Sequence, residues 1–364
     1  MKICYISVPL DATGYSHAAN DTVLALDKVG IDVTIKDVKL AGQVVIPHPR
    51  IVELIDKNIG KIDTVVQHIL PPAMVYHKGY KNIGYYHTET THFRPSNWQY
   101  YLNLMDEIWV CCQQNLEAAK VSGIKVPIKV VPKPCDETIY SLKYDKLPID
   151  IGNRYAFYHI GDWSSRKNIV NLIKCYFEVF SKKDNVVLVL KTYIDSKSAE
   201  ESRQIIKQQI EDIKKNMRKY AVDLYPPIIL ITDYLDDVQI RRLHKTCDCF
   251  VSLERGAAFN IPAFDAIAFG NWTIVNGWGG QEQFIRPENG IKLDYTMSSV
   301  WGMAQCPYPS LYTCHEQWAD PNLEQCKQEM LSAYRNKPKA DNAWLLEEYS
   351  LENAGKRIKE ILCS

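Results

Sequence analysis

The chain has 364 residues, which is more than one ordinary hydrophobic core accommodates and suits two domains of ordinary size. Its apolar fraction of 46% and charged fraction of 24% are close to globular averages, so we expect a packed protein rather than a disordered one. Lys and Arg together number 43, as do Asp and Glu, and this balance excludes a general electrostatic attraction to nucleic acid or an anionic membrane, although a local basic groove stays open.

The first part of the chain alternates between short apolar runs and helical patterns. The predicted strands cover residues 2–8, 31–35, 64–69, 81–86, 107–110 and 128–131. The first strand leads through a loop with proline, aspartate and glycine into a predicted helix over 18–30, which ends on Gly30. Strands that alternate with helices indicate a parallel sheet with helices on both faces.

Residues 132–154 contain three prolines and have poor periodicity, so we interpret them as an interdomain linker. The alternation then restarts, with predicted strands over 155–160, 186–190, 228–231, 249–253 and 272–275, and predicted helices over 168–180, 200–217, 238–246 and 262–269. A last helix, over 349–362, carries an apolar stripe. The pattern predicts an α/β protein with two Rossmann-like, doubly wound domains, 1–150 and 151–344, with the helical tail 345–364 packing back on the first domain.

The cysteines and the start of the chain bear on its cellular location. Cys4, Cys111, Cys112, Cys175, Cys247 and Cys249 lie in predicted core elements, which is typical of buried free thiols and not of a secreted disulfide framework. The chain starts directly with a strand and has no signal-peptide pattern, and no apolar run reaches the roughly 20 residues of a membrane span. We therefore expect a cytoplasmic protein with no integral membrane segment.

Ligands of doubly wound sheets bind where loops leave the carboxyl ends of strands, so the segments after predicted strands are candidate sites. Gly14 and Tyr15 follow the first strand, where a glycine permits close backbone approach and the next helix N-terminus favours anions. An ordinary strand-to-helix turn is an equal alternative. The segment lacks the G-x-G-x-x-G fingerprint, which disfavours a dehydrogenase.

A second candidate segment runs from His87 to His92, at the end of the strand over 81–86. His87 is well placed at a strand's carboxyl end to touch a substrate. A structural or solvated histidine is the alternative. A metal pair with His92 is a further alternative, but five-residue spacing in a loop is not specific for a metal.

A third candidate segment, GDWSSRKN, follows the strand over 155–160. Its adjacent cations Arg166 and Lys167 stand at a predicted helix N-terminus, where they repel each other and the helix dipole. A bound diphosphate would relieve both effects, because helix amides and cations would then converge on one anion. A solvated basic turn is the alternative.

The fourth candidate segment runs over 253–266 and precedes another predicted helix. The amides of Asn260 and Ile261 are placed to face a phosphate, and Asp265 lies one turn inside the helix, where it can accept a hydrogen bond from a ribose hydroxyl. Asp265 acting only on the helix dipole is the alternative. Gly279 and Gly280, after the next strand, add possible sites of close approach.

Together these segments resemble family 4 of the retaining glycosyltransferases, which have the two-domain GT-B fold, over nearly the whole chain. Family members carry a segment like R-G-E-G-F-G-L-P-x-x-E-A-M-A-x-G, and residues 255–270 read RGAAFNIPAFDAIAFG. The family's two glutamates fall on Ala257 and Asp265. GDWSSRKN resembles the family's G-R-x-x-x-x-K-G element, with Lys167 on its diphosphate lysine and Arg166 substituting for its arginine. YYHTETTHFRPSNW resembles the element that holds the active-site histidine, here His87, and the segment from His315 resembles a C-terminal feature of one bacterial and viral branch.

The resemblance implies two domains that face a central cleft, an acceptor-side domain over 1–150 and a donor-binding domain over 151–344. It implies transfer from a nucleotide-diphosphate sugar, such as a UDP- or GDP-sugar, to a glycan or glycoconjugate, without a metal ion or another cofactor. Lys167 and Arg166 would stabilise the leaving diphosphate and His87 would position the donor sugar. Gly14, Tyr15, Asn260, Ile261, Asp265, Gly279 and Gly280 would contact the donor.

Two other functions stay open. One keeps the chemistry but places the acceptor on a modified DNA base, against which the zero net charge argues. The other is a catalytically silent homologue that binds a glycan or a partner, a hypothesis motivated by Ala257 in place of the family's glutamate.

Overall fold

The computed structural model describes residues 1–39 and 44–364. Its backbone contacts divide the chain into two compact units. Unit 1 comprises Met1–Ser141 together with Ala343–Ser364, and unit 2 comprises Leu142–Asn342.

The sheet of unit 1 has six parallel strands among the described residues, in the order β2-β1-β3-β4-β5-β6. They are β1 Lys2–Ser7, β2 Asp32–Asp37, β3 Thr64–His68, β4 Lys81–Tyr85, β5 Glu107–Val110 and β6 Ile128–Val130. Strands β1, β3 and β4 are neighbours near the centre of the sheet and are almost wholly buried, as strands of a parallel sheet covered on both faces are. Their carboxyl ends therefore lie side by side at one edge.

Helices cover the sheet of unit 1. They are α1 Gly14–Lys28, α2 Pro49–Leu54, α3 Trp98–Leu102, α4 Gln113–Val121, α5 Thr138–Ser141, α11 Ala343–Glu348 and α12 Leu351–Cys363. Helix α12 packs closely on α1, because a Cβ atom on Gly355 would lie 2.5 Å from the carbonyl oxygen of Ala25. The Glu137 carboxylate accepts a hydrogen bond from the Leu351 amide at 3.0 Å, which attaches the start of α12 to the residue before α5.

The main sheet of unit 2 also has six parallel strands among the described residues, in the order β12-β11-β10-β7-β8-β9. They are β7 Tyr155–Ile160, β8 Val186–Lys191, β9 Ile228–Ile231, β10 Cys249–Ser252, β11 Trp272–Asn276 and β12 Gly290–Leu293. Strands β7, β10 and β11 are consecutive in space, so the loops that follow them meet at the carboxyl edge of the sheet.

The helices of unit 2 are α6 Ile169–Val179, α7 Ala199–Met217, α8 Asp237–Thr246, α9 Ile261–Ala268 and α10 Leu323–Asn336. The buried aromatic residues Phe157, Tyr176 and Phe180 lie in one core cluster between the sheet and α6. An antiparallel pair, β13 Tyr295–Ser299 and β14 Gln317–Pro321, precedes α10.

The strands predicted from the apolar runs are present, and the predicted helix over 18–30 starts earlier, at Gly14, because the Thr13 hydroxyl caps it by accepting the Ser16 amide hydrogen at 3.3 Å. The six cysteines expected to be buried free thiols are buried free thiols. No helix among residues 1–39 and 44–364 combines the length and the apolar character needed to cross a membrane.

Candidate functional site

The cations of the third candidate segment lie in the loop between β7 and α6 of unit 2. The Lys167 ammonium is 2.5 Å from Oε2 of Glu254, and Nη1 of Arg166 is 3.6 Å from the same oxygen. Nη1 of Arg166 also donates to the carbonyl oxygen of Gly256 at 2.9 Å. The Glu254 side chain is only 1% exposed, so both cations are held on one buried carboxylate that follows β10.

Glu254 and Asp162 offset the repulsion that the sequence predicts between Arg166 and Lys167. Asp162 lies 3.8 Å from Nη2 of Arg166. Burial acts to raise the pKa of Asp162, but the neighbouring charges of Arg166 and Lys167 lower it overall. Sequence analysis missed Glu254, which falls out of register with the family's glutamates. The signal was its position two residues after a fully buried strand, because a carboxylate that is buried there needs a compensating cation.

Arg255, which follows β10, also contacts the loop between β7 and α6. Its guanidinium forms an ion pair with Asp320 and donates a hydrogen bond to the carbonyl oxygen of Ser165, and it lies 5.3 Å from the ring centre of Trp318. Its backbone amide donates to the carbonyl oxygen of Arg166 at 2.8 Å. The segment from His315 therefore has a structural role, because β14 anchors the residue next to Glu254.

The fourth candidate segment forms the N-terminus of α9. Asn260 caps the helix in a left-handed conformation, with φ of 72°, and its side-chain oxygen accepts the Ala263 amide hydrogen at 3.3 Å. Its Nδ2 atom is buried and has no hydrogen-bond partner in the described part of the chain. Ile261 is the first helical residue, so its amide has no intrahelical acceptor. Asp265 lies one turn further, half-buried.

Gly279 and Gly280 lie close to backbone atoms of the loop before α9. A Cβ atom on Gly279 would lie 2.6 Å from the carbonyl oxygen of Ala257, and one on Gly280 would lie 1.9 Å from that of Ala258. The Gly280 amide also donates to the carbonyl oxygen of Ala257 at 2.8 Å. These glycines hold the loop that precedes α9, and a Cβ at either position would displace it.

Gly14 and Tyr15 are the first residues of α1, at the carboxyl edge of the unit 1 sheet. The phenol oxygen of Tyr15 accepts a hydrogen bond from the His87 amide at 3.2 Å, and its ring meets the His87 imidazole edge-on, with 4.9 Å between ring centres. The structure thus brings Tyr15 and His87 together.

His87 belongs to a chain of three side chains that sequence analysis did not find. Its Nε2 atom is 2.8 Å from Nε2 of His68, the last residue of β3, and Nδ1 of His68 is 2.8 Å from the phenol oxygen of Tyr5 in β1. His68 is fully buried and stacks on Tyr85, with 4.0 Å between ring centres. Nothing in the sequence distinguishes His68 from other core residues, because its partners come from separate strands.

Both histidines are held neutral. Burial, aided by the charge of Lys133, lowers the pKa of His87 to about 3. Burial also lowers the pKa of His68 well below its usual value, with smaller effects from His87 and Lys133. Two neutral imidazoles next to a cation can exchange hydrogen bonds at neutral pH but carry no positive charge.

The predicted site residues therefore form two groups. Unit 2 brings together Arg166, Lys167 and the loop before α9, while unit 1 brings Tyr15 to His87. Among residues 1–39 and 44–364, no group of three or more His, Cys, Asp or Glu side chains could hold a metal ion.

Solved structures share this fold over the whole chain. HepE (Alr3699) of Anabaena, solved with UDP and glucose, matches with a TM-score of 0.61 and 13% identity over 100% of both chains. The lipopolysaccharide outer core galactosyltransferase WaaB matches with a TM-score of 0.63 and 9% identity over 100% of this chain and 99% of the other. Sucrose-phosphate synthase of Thermosynechococcus elongatus matches with a TM-score of 0.60 and 12% identity over 99% and 94%.

This likeness shows the fold, which is the GT-B fold with two Rossmann-like α/β domains. The predicted fold class is confirmed. No protein-family profile matches the chain. No curated protein sequence matches it either.

Proposed function

We propose that this chain is a glycosyltransferase that moves a sugar from a nucleotide-diphosphate sugar to a glycan or glycoconjugate acceptor, with retention of the anomeric configuration. One observation carries the proposal. Two cations, Arg166 and Lys167, are held beside the loop that leads into the N-terminus of α9, at the carboxyl edge of the unit 2 sheet. The fold is shared with HepE, which was solved with UDP and with UDP-glucose.

Lys167 and Arg166 stabilise the diphosphate, whose charge grows as the sugar leaves. The amides of Asn260 and Ile261 are helix N-terminal donors suited to a phosphate oxygen. Asp265 accepts a hydrogen bond from the ribose. Gly279 and Gly280 act indirectly, since they hold the loop before α9.

Glu254 sets how firmly the donor is held. In the structure Lys167 is paired with Glu254, so a diphosphate must share or take over that ammonium. Binding and release of the nucleotide then exchange one anionic partner of Lys167 for another, which keeps the lysine in place in both states.

His87 contacts the sugar, and Tyr15 at the start of α1 holds the His87 loop through the hydrogen bond from the His87 amide. Gly14 contacts the donor. The reaction proceeds without a metal ion or another cofactor, because the cations of the chain itself take that electrostatic role. We propose a cytoplasmic location, because the buried cysteines of both units are free thiols.

Thermal denaturation with a panel of UDP-, GDP- and other nucleotide sugars tests donor binding. The stabilising donor should raise the melting temperature, by an increment that grows with concentration. Lys167→Ala should abolish this increment, whereas Lys356→Ala, which removes an exposed cation of α12, should leave it unchanged. No stabilisation by any nucleotide sugar would count against the proposal.

Turnover of the stabilising donor tests the chemistry. NMR of the product reports the anomeric configuration, and assays with EDTA report dependence on a metal ion. Loss of activity in EDTA would overturn metal independence, and an inverted product would overturn retention. Binding without transfer or hydrolysis would instead identify a silent homologue, in which case restoring the glutamate with Ala257→Glu tests whether Ala257 is the cause.

A further inference from the structure

A cavity of about 400 Å³ lies in unit 2, beside the loop between β7 and α6. A cavity of this size is large enough for a small-molecule ligand. Its walls come from three parts of the unit: the loop itself, helix α7 and the segment between β13 and β14. The residues used below are Trp163, Ser165, Gln209, Trp301, Gly302 and Gln305.

This cavity is distinct from the proposed nucleotide-sugar site. Lys167 and Arg166 do not line it, and neither does the N-terminal turn of α9. Among the described residues that line it, Arg255 alone carries a charge, and its guanidinium is already paired with Asp320. A phosphate or a nucleotide is normally held by cations that can turn to it, so the lining favours a neutral ligand.

Trp163 and Gln209 form one wall of the cavity. The Trp163 side chain packs against the core cluster of unit 2, and its Nε1 atom donates to Oε1 of Gln209 at 2.8 Å. An indole nitrogen can only donate, so this bond fixes which end of the Gln209 amide is the oxygen. The Nε2 atom of Gln209, on an exposed side chain, is then left as a donor for a ligand.

Trp301 stands at the opposite wall and is held by its neighbours. All eight tryptophans lie in the described residues, and Trp301 alone is exposed, to 67%. The preceding residue, Val300, is buried, and its amide donates to the carbonyl oxygen of Glu316 at 3.0 Å. The following residue, Gly302, packs so closely on Ser165 that a Cβ atom would clash with the Ser165 hydroxyl. The chain therefore holds a large apolar ring in water beside the cavity, where a ligand can cover it.

The lining has the chemistry that a sugar ring needs. A pyranose has a flat face of C–H groups, which suits an indole ring, and an edge of hydroxyl groups, which both donate and accept hydrogen bonds. The amides of Gln209 and Gln305 and the hydroxyl of Ser165 offer donors and acceptors for such an edge.

We propose that this cavity is a second carbohydrate site, which binds a neutral oligosaccharide with one sugar ring stacked on Trp301. The proposal goes beyond the proposed function, because it concerns binding alone and requires neither a nucleotide sugar nor transfer. It adds to unit 2 a place where a glycan chain is held apart from the diphosphate site.

Titration of the full chain with maltotriose, cellotriose and chitotriose tests the proposal. Concentrations up to about 10 mM detect dissociation constants in the millimolar range. We expect at least one trisaccharide to bind and to shift the tryptophan emission to shorter wavelength, because the sugar removes water from Trp301. The same titration with UDP present should give an unchanged dissociation constant.

Variants of Trp301 assign the binding to this cavity, with saturation-transfer NMR as the readout. Trp301→Ala should weaken the binding by about tenfold, the effect of one aromatic contact, whereas Trp301→Phe keeps a flat ring and should recover most of the affinity. Tyr100→Ala removes an aromatic side chain of α3 that is 65% exposed, and it should leave the affinity unchanged. Melting temperatures equal to that of the wild type show that the variants are folded.

Four results would overturn the proposal. They are the absence of binding by all three trisaccharides, an affinity unchanged in Trp301→Ala, an equal loss in Trp301→Ala and Trp301→Phe, and displacement of the trisaccharide by UDP. None of these measurements uses a sugar donor. Their failure therefore leaves the proposed transfer untouched, and a chain that transfers no sugar could still bind the trisaccharide.

Discussion

Glu254 decides the electrostatics of the unit 2 site at the scale of single residues. Its side chain is 1% exposed, and it contacts two cations that are 14% and 16% exposed. A carboxylate this deeply buried is tolerated only with such partners. Its removal would take away the short ion pair of Lys167 and would leave Arg166 with the longer ion pair to Asp162. These ion pairs are therefore a structural element of the loop as well as part of the proposed anion site.

Glu254→Gln should lower the free energy of unfolding by about 2–4 kcal/mol, because it leaves Lys167 and Arg166 without their buried counter-charge. Urea unfolding monitored by circular dichroism measures the change. Glu352→Gln removes an ion pair with Lys356 that is more than half exposed, and it should leave stability unchanged. Equal effects of the two substitutions would show that burial does not strengthen the Glu254 pair.

The same variant should bind UDP more tightly than the wild type does, by about three- to tenfold, because no carboxylate then competes with the diphosphate for Lys167. Isothermal titration calorimetry measures the dissociation constant. A weaker affinity in Glu254→Gln would mean that the carboxylate places Lys167 for the ligand and does not compete with it.

The sequence predicts Lys167 and Arg166 as candidate site residues, because they are adjacent cations that follow a strand. Sequence analysis could not find Tyr5 or His68. Both look like core residues of apolar strands, and only the strand order, which places β3 between β1 and β4, brings them to His87. The repulsion expected between the two cations was offset by a residue almost 90 positions away, Glu254.

At the scale of elements, the contact between α1 and α12 depends on a glycine. Gly355→Ala should destabilise unit 1 by about 1–3 kcal/mol, because the new methyl group would clash with the Ala25 carbonyl and with a Val29 methyl group 2.9 Å away. Helix propensity alone predicts the opposite sign, by about 1 kcal/mol. Thermal unfolding with Glu360→Ala, an exposed position of α12, as the control separates the two effects. A stabilised Gly355→Ala variant would show that the helices can move apart without cost.

The elements predicted from the sequence were those with a clear hydrophobic pattern, either a continuous apolar run or an amphipathic helical periodicity. Strands with a long apolar run, such as β8, and helices with a polar face, such as α7, were located to within a residue or two. β12, β13 and β14 were not predicted. β13 and β14 are short, and every residue of β13 is at least partly exposed, so an apolar run does not mark it. β14 also contacts the loop before α9, through the ion pair of Arg255 with Asp320, and this contact between distant parts of the chain is not visible in the local sequence pattern.

At the scale of the whole molecule, both units bury histidines that stay neutral. Burial lowers the pKa of His87 and of His244 to about 3 and that of His159 to about 4, and it lowers the pKa of His68 as well. In the unfolded chain these groups titrate near 6.5. Below about pH 6.5 the unfolded state binds protons that the folded state does not bind. The free energy of unfolding therefore decreases as the pH is lowered, until the pH reaches the pKa that these histidines have in the folded protein.

We therefore expect the free energy of unfolding to fall between about pH 7 and pH 5, by about 2 kcal/mol for each fully buried histidine. Urea unfolding at the two pH values measures the fall. His244→Gln removes one such group, whose ring is 1% exposed and hydrogen-bonded to Tyr158 at 2.6 Å, so this variant should lose less stability on acidification than the wild type does. His17→Gln changes an exposed residue of α1 and should show the full wild-type fall. An undiminished fall in His244→Gln would mean that the His244 imidazole takes up a proton in the folded state as readily as in the unfolded chain, so that other groups cause the acid sensitivity.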